Sequence, residues 1–157
     1  MKTEINTQFK KLQDQICLGL EKINASSKFS EDLWERPGGG GGRSRILSEG
    51  KVIQKGGVNF SEVSGPTPEA ILKSLDLPPS DFYATGVSIV IHPVNPWVPI
   101  IHMNVRYFEM SDGTYWFGGG IDLTPHYVIE SDATFFHKQL KEICDQHDPG
   151  YYAQFKK

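Results

Sequence analysis

The 157-residue sequence has few of the features that would mark a disulfide-rich, zinc-binding or membrane protein. It holds two cysteines, Cys17 and Cys144, and neither belongs to a CxxC pair or to a spacing typical of zinc sites. We therefore predict buried thiols and no disulfide framework. No apolar run approaches the roughly 18 residues of a spanning helix, and residues 1–24 are amphipathic rather than a basic stretch before an apolar core. We expect a cytoplasmic protein without a membrane span.

Positive charge is also not in excess. Sixteen Lys and Arg stand against nineteen Asp and Glu, which gives a formal net charge of -3. A chain with this balance has no general attraction to a polyanion, so we do not expect a nucleic acid partner.

The sequence does contain clear helix and strand patterns. Apolar residues spaced three and four apart from Ile5 to Ile23 predict a first helix. Thr67, followed by a proline, is predicted to cap a short helix that runs to about Leu75 and is stopped by Pro78 and Pro79. Ser131 or Asp132 is predicted to cap a last helix. Strand patterns lie between these helices, at residues 58–63, 84–91, 99–110 and 114–117, and residues 45–52 suggest a hairpin centred on Ser48, Glu49 and Gly50.

Strands in the middle of the chain with helices at both ends predict an α+β fold. We expect a broad antiparallel β-sheet flanked by helices on both faces, as one domain over residues 1–157. The glycines at 118–120 are predicted to end the last strand. The glycines at 38–42 favour a flexible connection, with an anion site formed with Arg43 and Arg45 as the alternative.

One predicted strand carries a candidate site. Strand side chains alternate, so His102, Asn104 and Arg106 share one face of the segment 99–110. A hairpin with the preceding strand would add Ser88 and His92 to that face. Arginine binds carboxylates through two parallel hydrogen bonds, and histidine moves protons near neutral pH, so the pattern fits an anionic ligand. A solvated polar face of a half-buried sheet is the alternative.

Two further predictions concern a metal site and the position of Asp122. His92, His102 and His137 are candidate ligands for a divalent metal, with hydrogen-bonded histidines as the alternative. Asp122, just after the glycine break, is expected to reach into a cleft or else to serve as a turn residue.

Six blocks of this sequence resemble oxygen-dependent coproporphyrinogen oxidase, and they occur in that family's order. The resemblance runs from the first helix to the last residue. The blocks are GGGGRSR (39–45), GVNF (57–60), GVSIVIHP (86–93), NP (95–96), HMNVR (102–106) and WFGGGIDLTP (116–125).

The resemblance implies an enzyme of haem biosynthesis that converts the two propionates of coproporphyrinogen III into vinyl groups, giving protoporphyrinogen IX. It implies dioxygen as co-substrate, no organic cofactor and a homodimer. Substrate contacts are expected at Ser88, Asn104, Val105 and Arg106, and His102 is expected to donate a proton. A divalent metal ion is expected at His92, His102 and His137, in a family thought to work without one in some members. With these residues we place Asp122 as an acid/base facing the pyrrole N–H groups.

The same resemblance implies a chain about twice this length, so this sequence corresponds to an amino-terminal half. We therefore expect little oxidase activity and a tendency to associate from the 157 residues alone. A catalytically inactive, tetrapyrrole-binding or partner-dependent fragment is the alternative function. A metal-dependent hydrolase or oxygenase that uses the three histidines with Asp122 is the rival enzyme class.

Overall fold

The computed structural model describes residues 1–25, 27–76 and 79–156. Six strands form one antiparallel sheet in which each strand is hydrogen-bonded to the next in sequence order. The α+β fold class is therefore confirmed. The elements are α1 (Lys2–Asn24), β1 (Ser30–Glu35), β2 (Gly40–Ser48), β3 (Ile53–Pro66), α2 (Glu69–Leu75), β4 (Asp81–Pro93), β5 (Ile100–Met110), β6 (Tyr115–Thr124), α3 (Glu130–Asp145) and α4 (Tyr151–Phe155).

Helix α1 packs on one face of the sheet, which we call the covered face. Alternation in β3 and β4 places Val58, Phe60 and Val87 there, and these side chains form a buried cluster with Cys17 of the helix. Gln13 is fully buried beside them, and its amide group donates to the carbonyl oxygens of Arg43 and Val58 at 2.7 Å each. A buried amide is costly without partners, so these bonds fix the helix against β2 and β3.

The opposite face carries His102, Asn104 and Arg106, and we call it the groove face. At one end of this face Phe82, Phe108 and Met110 form a second buried cluster, against which Leu72 of α2 packs. Helices therefore lie on both faces of the sheet, as predicted. His102, Asn104 and Arg106, which precede Phe108 on this face of β5, are outside this cluster.

The chain divides into two compact units. Met1–Pro125 contains the sheet with α1 and α2, and His126–Lys157 contains α3 and α4. In the second unit the imidazole of His137 stands edge-on to the rings of Phe136 and Tyr152. The expectation of one domain over residues 1–157 stays a prediction. Within the described residues, no helix has both the length and the apolar character of a membrane span.

Strand β6 corrects the predicted break at the glycines. The strand continues through residues 118–120 to Thr124, with Gly119 opposite Val105 and Gly120 opposite Asn104. Glycine is disfavoured in strands but not excluded, and the long partner strand β5 supplies hydrogen bonds along the whole segment. Asp122 consequently lies inside a strand and not after its end.

The amino-terminal part of the sheet also differs from the prediction. Residues 30–35 form β1, which the sequence did not indicate as a strand, and the glycines at 38–42 form a tight hairpin turn and the start of β2. A Cβ atom at Gly40, whose φ is +89°, would come within 2.1 Å of the carbonyl oxygen of Glu62. The run is therefore required by close packing, and the prediction of a flexible connection was wrong.

The predicted helix caps are wrong as well. Helix α2 begins at Glu69 after Pro68 without a side-chain cap, and the hydroxyl of Thr67 is buried without a described partner. Helix α3 begins at Glu130 after Ile129, so neither Ser131 nor Asp132 caps it. The backbone entering α2 is held instead by the Thr67 amide, which donates to the carbonyl oxygen of Ser80 at 2.9 Å. The predicted end of this helix near Leu75 is confirmed, while Pro78 lies outside the described residues.

Candidate functional site

The strand register arranges the groove face as rows of side chains that cross the sheet. Directly opposed residues in antiparallel strands point to the same face, so each set of register partners forms one row. Three neighbouring rows contain all the polar candidates of β4, β5 and β6 except His92. They are Trp34, Gly42, Ser61, Gly86, Arg106 and Gly118; Asp32, Ser44, Asn59, Ser88, Asn104 and Gly120; and Ser30, Ile46, Gly57, Val90, His102 and Asp122.

His102 and Asp122 form a hydrogen-bonded pair across β5 and β6. The Nδ1 atom of His102 lies 2.8 Å from Oδ1 of Asp122, and the two residues are register partners. An ionised carboxylate can only accept, so this bond assigns the proton of the neutral imidazole to Nδ1. The Nε2 atom is left as an acceptor. His102 can therefore accept a proton from a ligand at Nε2 and later donate that proton back to the ligand.

Arg106 lies on the same face of β5 as His102, two rows further along the strand, and its charge is uncompensated. Its Nη2 atom donates to Oδ1 of Asn104 at 3.1 Å, and no carboxylate forms an ion pair with it within the described chain. A guanidinium held by a neutral amide keeps further donors for a ligand carboxylate. The arrangement suits an anionic group placed over β4 and β5.

The two arginines after the glycine run are arranged differently. Both lie on the covered face, where Arg43 and Arg45 contact Oδ1 of Asp14 at 2.8 and 2.7 Å. Arg45 also pairs with Glu31 at 2.9 Å. Because their charges are used between α1 and the sheet, the proposed anion site at Arg43 and Arg45 is not formed.

An open groove of about 610 Å³ runs along the groove face. This volume lies within the range of about 300 to 1,000 Å³ that is usual for small-molecule sites. Arg106 stands at one end of the groove and Trp34 at the other. The side chains between them are Ser44, Asn59, Ser61, Val63, Ala84, Ser88 and Asn104.

The structure brings most of the predicted site residues together. Ser88 is opposite Asn104, and alternation along β4 places His92 on the same face, two residues beyond Val90. Val105 is the exception, because its side chain packs against the core cluster of the covered face. Any contact of Val105 with a ligand in the groove is therefore made by its main chain.

The three histidines predicted to bind a metal are divided between the two units, with His92 and His102 in the first and His137 in the second. Residues 1–25, 27–76 and 79–156 contain no group of three or more His, Cys, Asp and Glu side chains placed to hold a metal ion. The Nδ1 atom of His137 is buried without a described hydrogen-bond partner, which is compatible with a ligand role for that nitrogen. His102 uses Nδ1 for Asp122. The metal set of His92, His102 and His137 stays a prediction.

The sequence did not point to one half of the groove. Trp34, Ser44, Asn59 and Ser61 line it, and none of them was predicted as a site residue. Asn59 and Ser61 share one face of β3 by simple alternation, so the pattern to find them was present. Trp34 was missed because β1 was not recognised as a strand.

Comparison with known proteins identifies the family. The family model described as coproporphyrinogen III oxidase matches residues 4–157. The oxygen-dependent coproporphyrinogen-III oxidase of Coxiella burnetii (strain Dugway 5J108-111) is 46% identical over 160 residues, which cover 98% of this chain and 52% of that protein. The proteins with the same description from Prochlorococcus marinus (strain NATL1A) and Drosophila melanogaster are 50% and 48% identical, with 92% and 93% of this chain covered.

The match to these relatives is partial on their side. It covers 42% of the Prochlorococcus protein and 41% of the Drosophila protein, so the chain spans about half the length of the curated relatives it matches. The prediction made from the sequence blocks is confirmed at the level of the family. This chain belongs to the coproporphyrinogen III oxidase family.

Proposed function

We propose that this chain supplies the groove of an oxygen-dependent coproporphyrinogen oxidase. The reaction is the oxidative decarboxylation of two propionates of coproporphyrinogen III to vinyl groups, which gives protoporphyrinogen IX in haem biosynthesis. The observation that carries the proposal is an unpaired Arg106 at the end of an open groove, on the same sheet face as the His102–Asp122 pair. The substrate offers the matching groups, since it has carboxylate arms on electron-rich rings.

The chemistry balances with dioxygen as the sole oxidant. One propionate, one dioxygen and one proton give a vinyl group, carbon dioxide and hydrogen peroxide. The C–C bond to the carboxylate breaks, a hydrogen leaves the neighbouring carbon, and the two electrons reduce dioxygen. In this scheme dioxygen adds to the pyrrole, and the bound peroxide takes the hydrogen as carbon dioxide leaves.

The protein orients the substrate and manages protons. Arg106 pairs with a propionate, while Ser88 and Asn104 add neutral hydrogen bonds from the neighbouring row. The Oδ1 atom of Asp122 accepts from His102 and from Thr124, which leaves Oδ2 for the pyrrole N–H groups. A fixed carboxylate there stabilises positive charge that develops on the attacked ring. His102 then holds or returns the proton at Nε2.

Three further features are proposed from the family resemblance. They are a cytoplasmic location, a homodimer, and a divalent metal ion held by His92, His102 and His137. A bound metal would supply Lewis acidity to an oxygen ligand. The roles given to Arg106 and Asp122 do not depend on it.

The roles of Arg106 and Asp122 are tested in a full-length relative at the matching positions. For Asp122→Asn we expect kcat at saturating substrate to fall about a hundredfold or more, because the negative charge is lost while the size is kept. Arg106→Ala should weaken substrate use by about 1.5 to 3 kcal/mol, the usual strength of a charge-assisted pair. Vinyl product is followed by fluorescence after oxidation to the porphyrin.

Asp112→Asn is the matched control. Asp112 lies in the turn between β5 and β6 and accepts a hydrogen bond from the Thr114 amide at 2.8 Å, which asparagine can also do. Its kcat should equal that of the unmodified enzyme. An unchanged kcat for the Asp122 variant would remove that residue from the chemistry, and unchanged substrate affinity and turnover would do the same for Arg106.

A further inference from the structure

We propose that Trp34 binds a pyrrole ring of the tetrapyrrole at the end of the groove remote from Arg106. The inference rests on the proposed function and extends it to a residue that was not predicted as a site residue. Trp34 would be a specificity-determining residue, because it contacts a part of the substrate that a shorter pyrrole does not possess.

The indole of Trp34 is held in a fixed position. Its Nε1 atom donates to the hydroxyl of Ser44 at 3.2 Å, across the β1–β2 pair. A Cβ atom added to Gly42 would lie 2.3 Å from Cζ2 of the indole, so the ring lies directly against the α-carbon of that glycine. A fixed aromatic ring loses little conformational entropy when a ligand stacks on it.

The groove between the two ends is long and has a low floor. Trp34 and Arg106 belong to one cross-strand row, with Gly42, Ser61 and Gly86 between them. Four steps between adjacent strands amount to about 19 Å. The indole of Trp34 lies over Gly42, whereas Gly86 has no side chain, and glycine within a strand often marks a close approach by a ligand.

The two long sides of the groove differ in polarity. Ser44, Asn59, Ser88 and Asn104 line one side, whereas Val63 and Ala84 line the other. No described residue forms a hydrogen bond with the side chains of Asn59 and Ser88, so both are open to a ligand.

This polarity fits a ligand with apolar ring faces and polar edges. A tetrapyrrole with carboxylate arms has that character along its whole length. A single pyrrole that is held at Arg106 by its propionate is too short to reach Trp34. Stacking of a heterocycle on an aromatic side chain contributes roughly 1 to 3 kcal/mol by analogy with nucleic-acid bases, so the loss of Trp34 should weaken binding about tenfold or more.

The experiment measures binding of two ligands to the 157-residue chain without oxygen, so that no turnover occurs. The ligands are coproporphyrinogen III and pyrrole-3-propionate, and equilibrium dialysis gives the Kd of each. For Trp34→Leu we expect the Kd for coproporphyrinogen III to rise about tenfold and the Kd for pyrrole-3-propionate to stay unchanged. Arg106→Ala should weaken the binding of both ligands.

Leu33→Ala is the matched control. Leu33 is adjacent in β1, its side chain points to the covered face, and it is 70% exposed. Its Kd for both ligands should stay within about twofold of the unmodified chain, since exposed substitutions away from a site have small effects. Trp34→Phe, which keeps an aromatic face, should recover most of the affinity for coproporphyrinogen III. If Trp34 only supported the fold, the Phe and Leu variants would have the same Kd whenever their melting temperatures were equal.

The outcomes separate this inference from the proposed function. If the unmodified chain binds coproporphyrinogen III and Arg106→Ala weakens it, but Trp34→Leu does not, the role of Trp34 is overturned and the proposed function stands. If Trp34→Leu raises the Kd of both ligands equally, the residue supports the structure of the groove and does not contact a remote ring. If the unmodified chain binds neither ligand, both proposals are overturned.

Discussion

The covered face and the groove face are built from alternate residues of the same six strands, yet they are specified by different interactions. On the covered face Val58, Phe60 and Val87 are buried against α1, and the polar Gln13 has every partner it needs within the chain. On the groove face the polar groups of Arg106 and Asn59 keep unused hydrogen-bonding capacity. The face whose polar groups have partners within the chain maintains the fold. The face whose polar groups lack such partners is available to a ligand.

The largest effect should come from placing a charge on each face in turn. Val87 is 2% exposed on the covered face, so Val87→Asp buries a carboxylate without a partner and should cost more than about 3 kcal/mol of unfolding free energy. Ser88→Asp, one residue further on the groove face, should cost within about 0.5 kcal/mol. Urea unfolding followed by tryptophan fluorescence measures both. Equal losses would mean that the two faces do not differ as described.

A moderate effect is expected from two neighbouring glycines of β6. A Cβ atom at Gly119 would lie 2.3 Å from the carbonyl oxygen of Asn104, whereas one at Gly120 meets nothing within 4 Å. Gly119→Ala should therefore cost roughly 1 to 3 kcal/mol, because backbone must shift. Gly120→Ala should be neutral or stabilise by up to about 1 kcal/mol. Thermal unfolding of the two variants tests the difference, and a larger cost at Gly120 would contradict it.

The smallest effect concerns a tyrosine on the covered face. Burial, and then the hydrogen bond to Glu109 at 2.5 Å, raise the pKa of Tyr107 to about 12 from its ordinary 10.0. The same bond, followed by the contact with Lys2, lowers the pKa of Glu109. Between about pH 10 and 12 the phenol of Tyr107 is protonated in the folded chain and ionised in the unfolded chain. This stabilisation is therefore complete below about pH 10 and is lost as the pH rises towards about 12.

We expect Tyr107→Phe to lose about 1 kcal/mol at neutral pH and to show a shallower fall in stability between about pH 10 and 12. Tyr115→Phe, at a neighbouring tyrosine that is 52% exposed, is the control and should follow the unmodified chain. Urea midpoints across this pH range measure the slopes. A slope unchanged by Tyr107→Phe would show that this phenol does not govern the alkaline limb.

The sequence predicted those parts of the molecule whose pattern matches their environment. Helix α1 and the β4–β5 hairpin follow regular apolar spacing, and the alternation in β5 correctly grouped His102, Asn104 and Arg106. The pairing of Asp122 with His102 was not foreseen, because three glycines normally end a strand and only the length of β5 keeps β6 extended.

The β1 edge was missed for a different physical reason. Its residues are exposed except for the half-buried Trp34, so residues 30–35 show no clear alternation of apolar and polar side chains. Its hydrogen bonds with β2, and not its own pattern, hold it in the sheet. Trp34, at one end of the groove, belongs to this strand, which is why that end was not predicted from the sequence.

The strand register also sets a rule for insertions and deletions in the coding sequence. One extra residue between His102 and Arg106 would turn Arg106 to the covered face while His102 stayed on the groove face, because strand side chains alternate. A change of length at Gly113, where an added side chain would meet nothing within 4 Å, leaves every row intact. Insertions or deletions of a single codon within these strands should therefore remove site residues from the groove face. Length changes in the hairpin turns should keep them there.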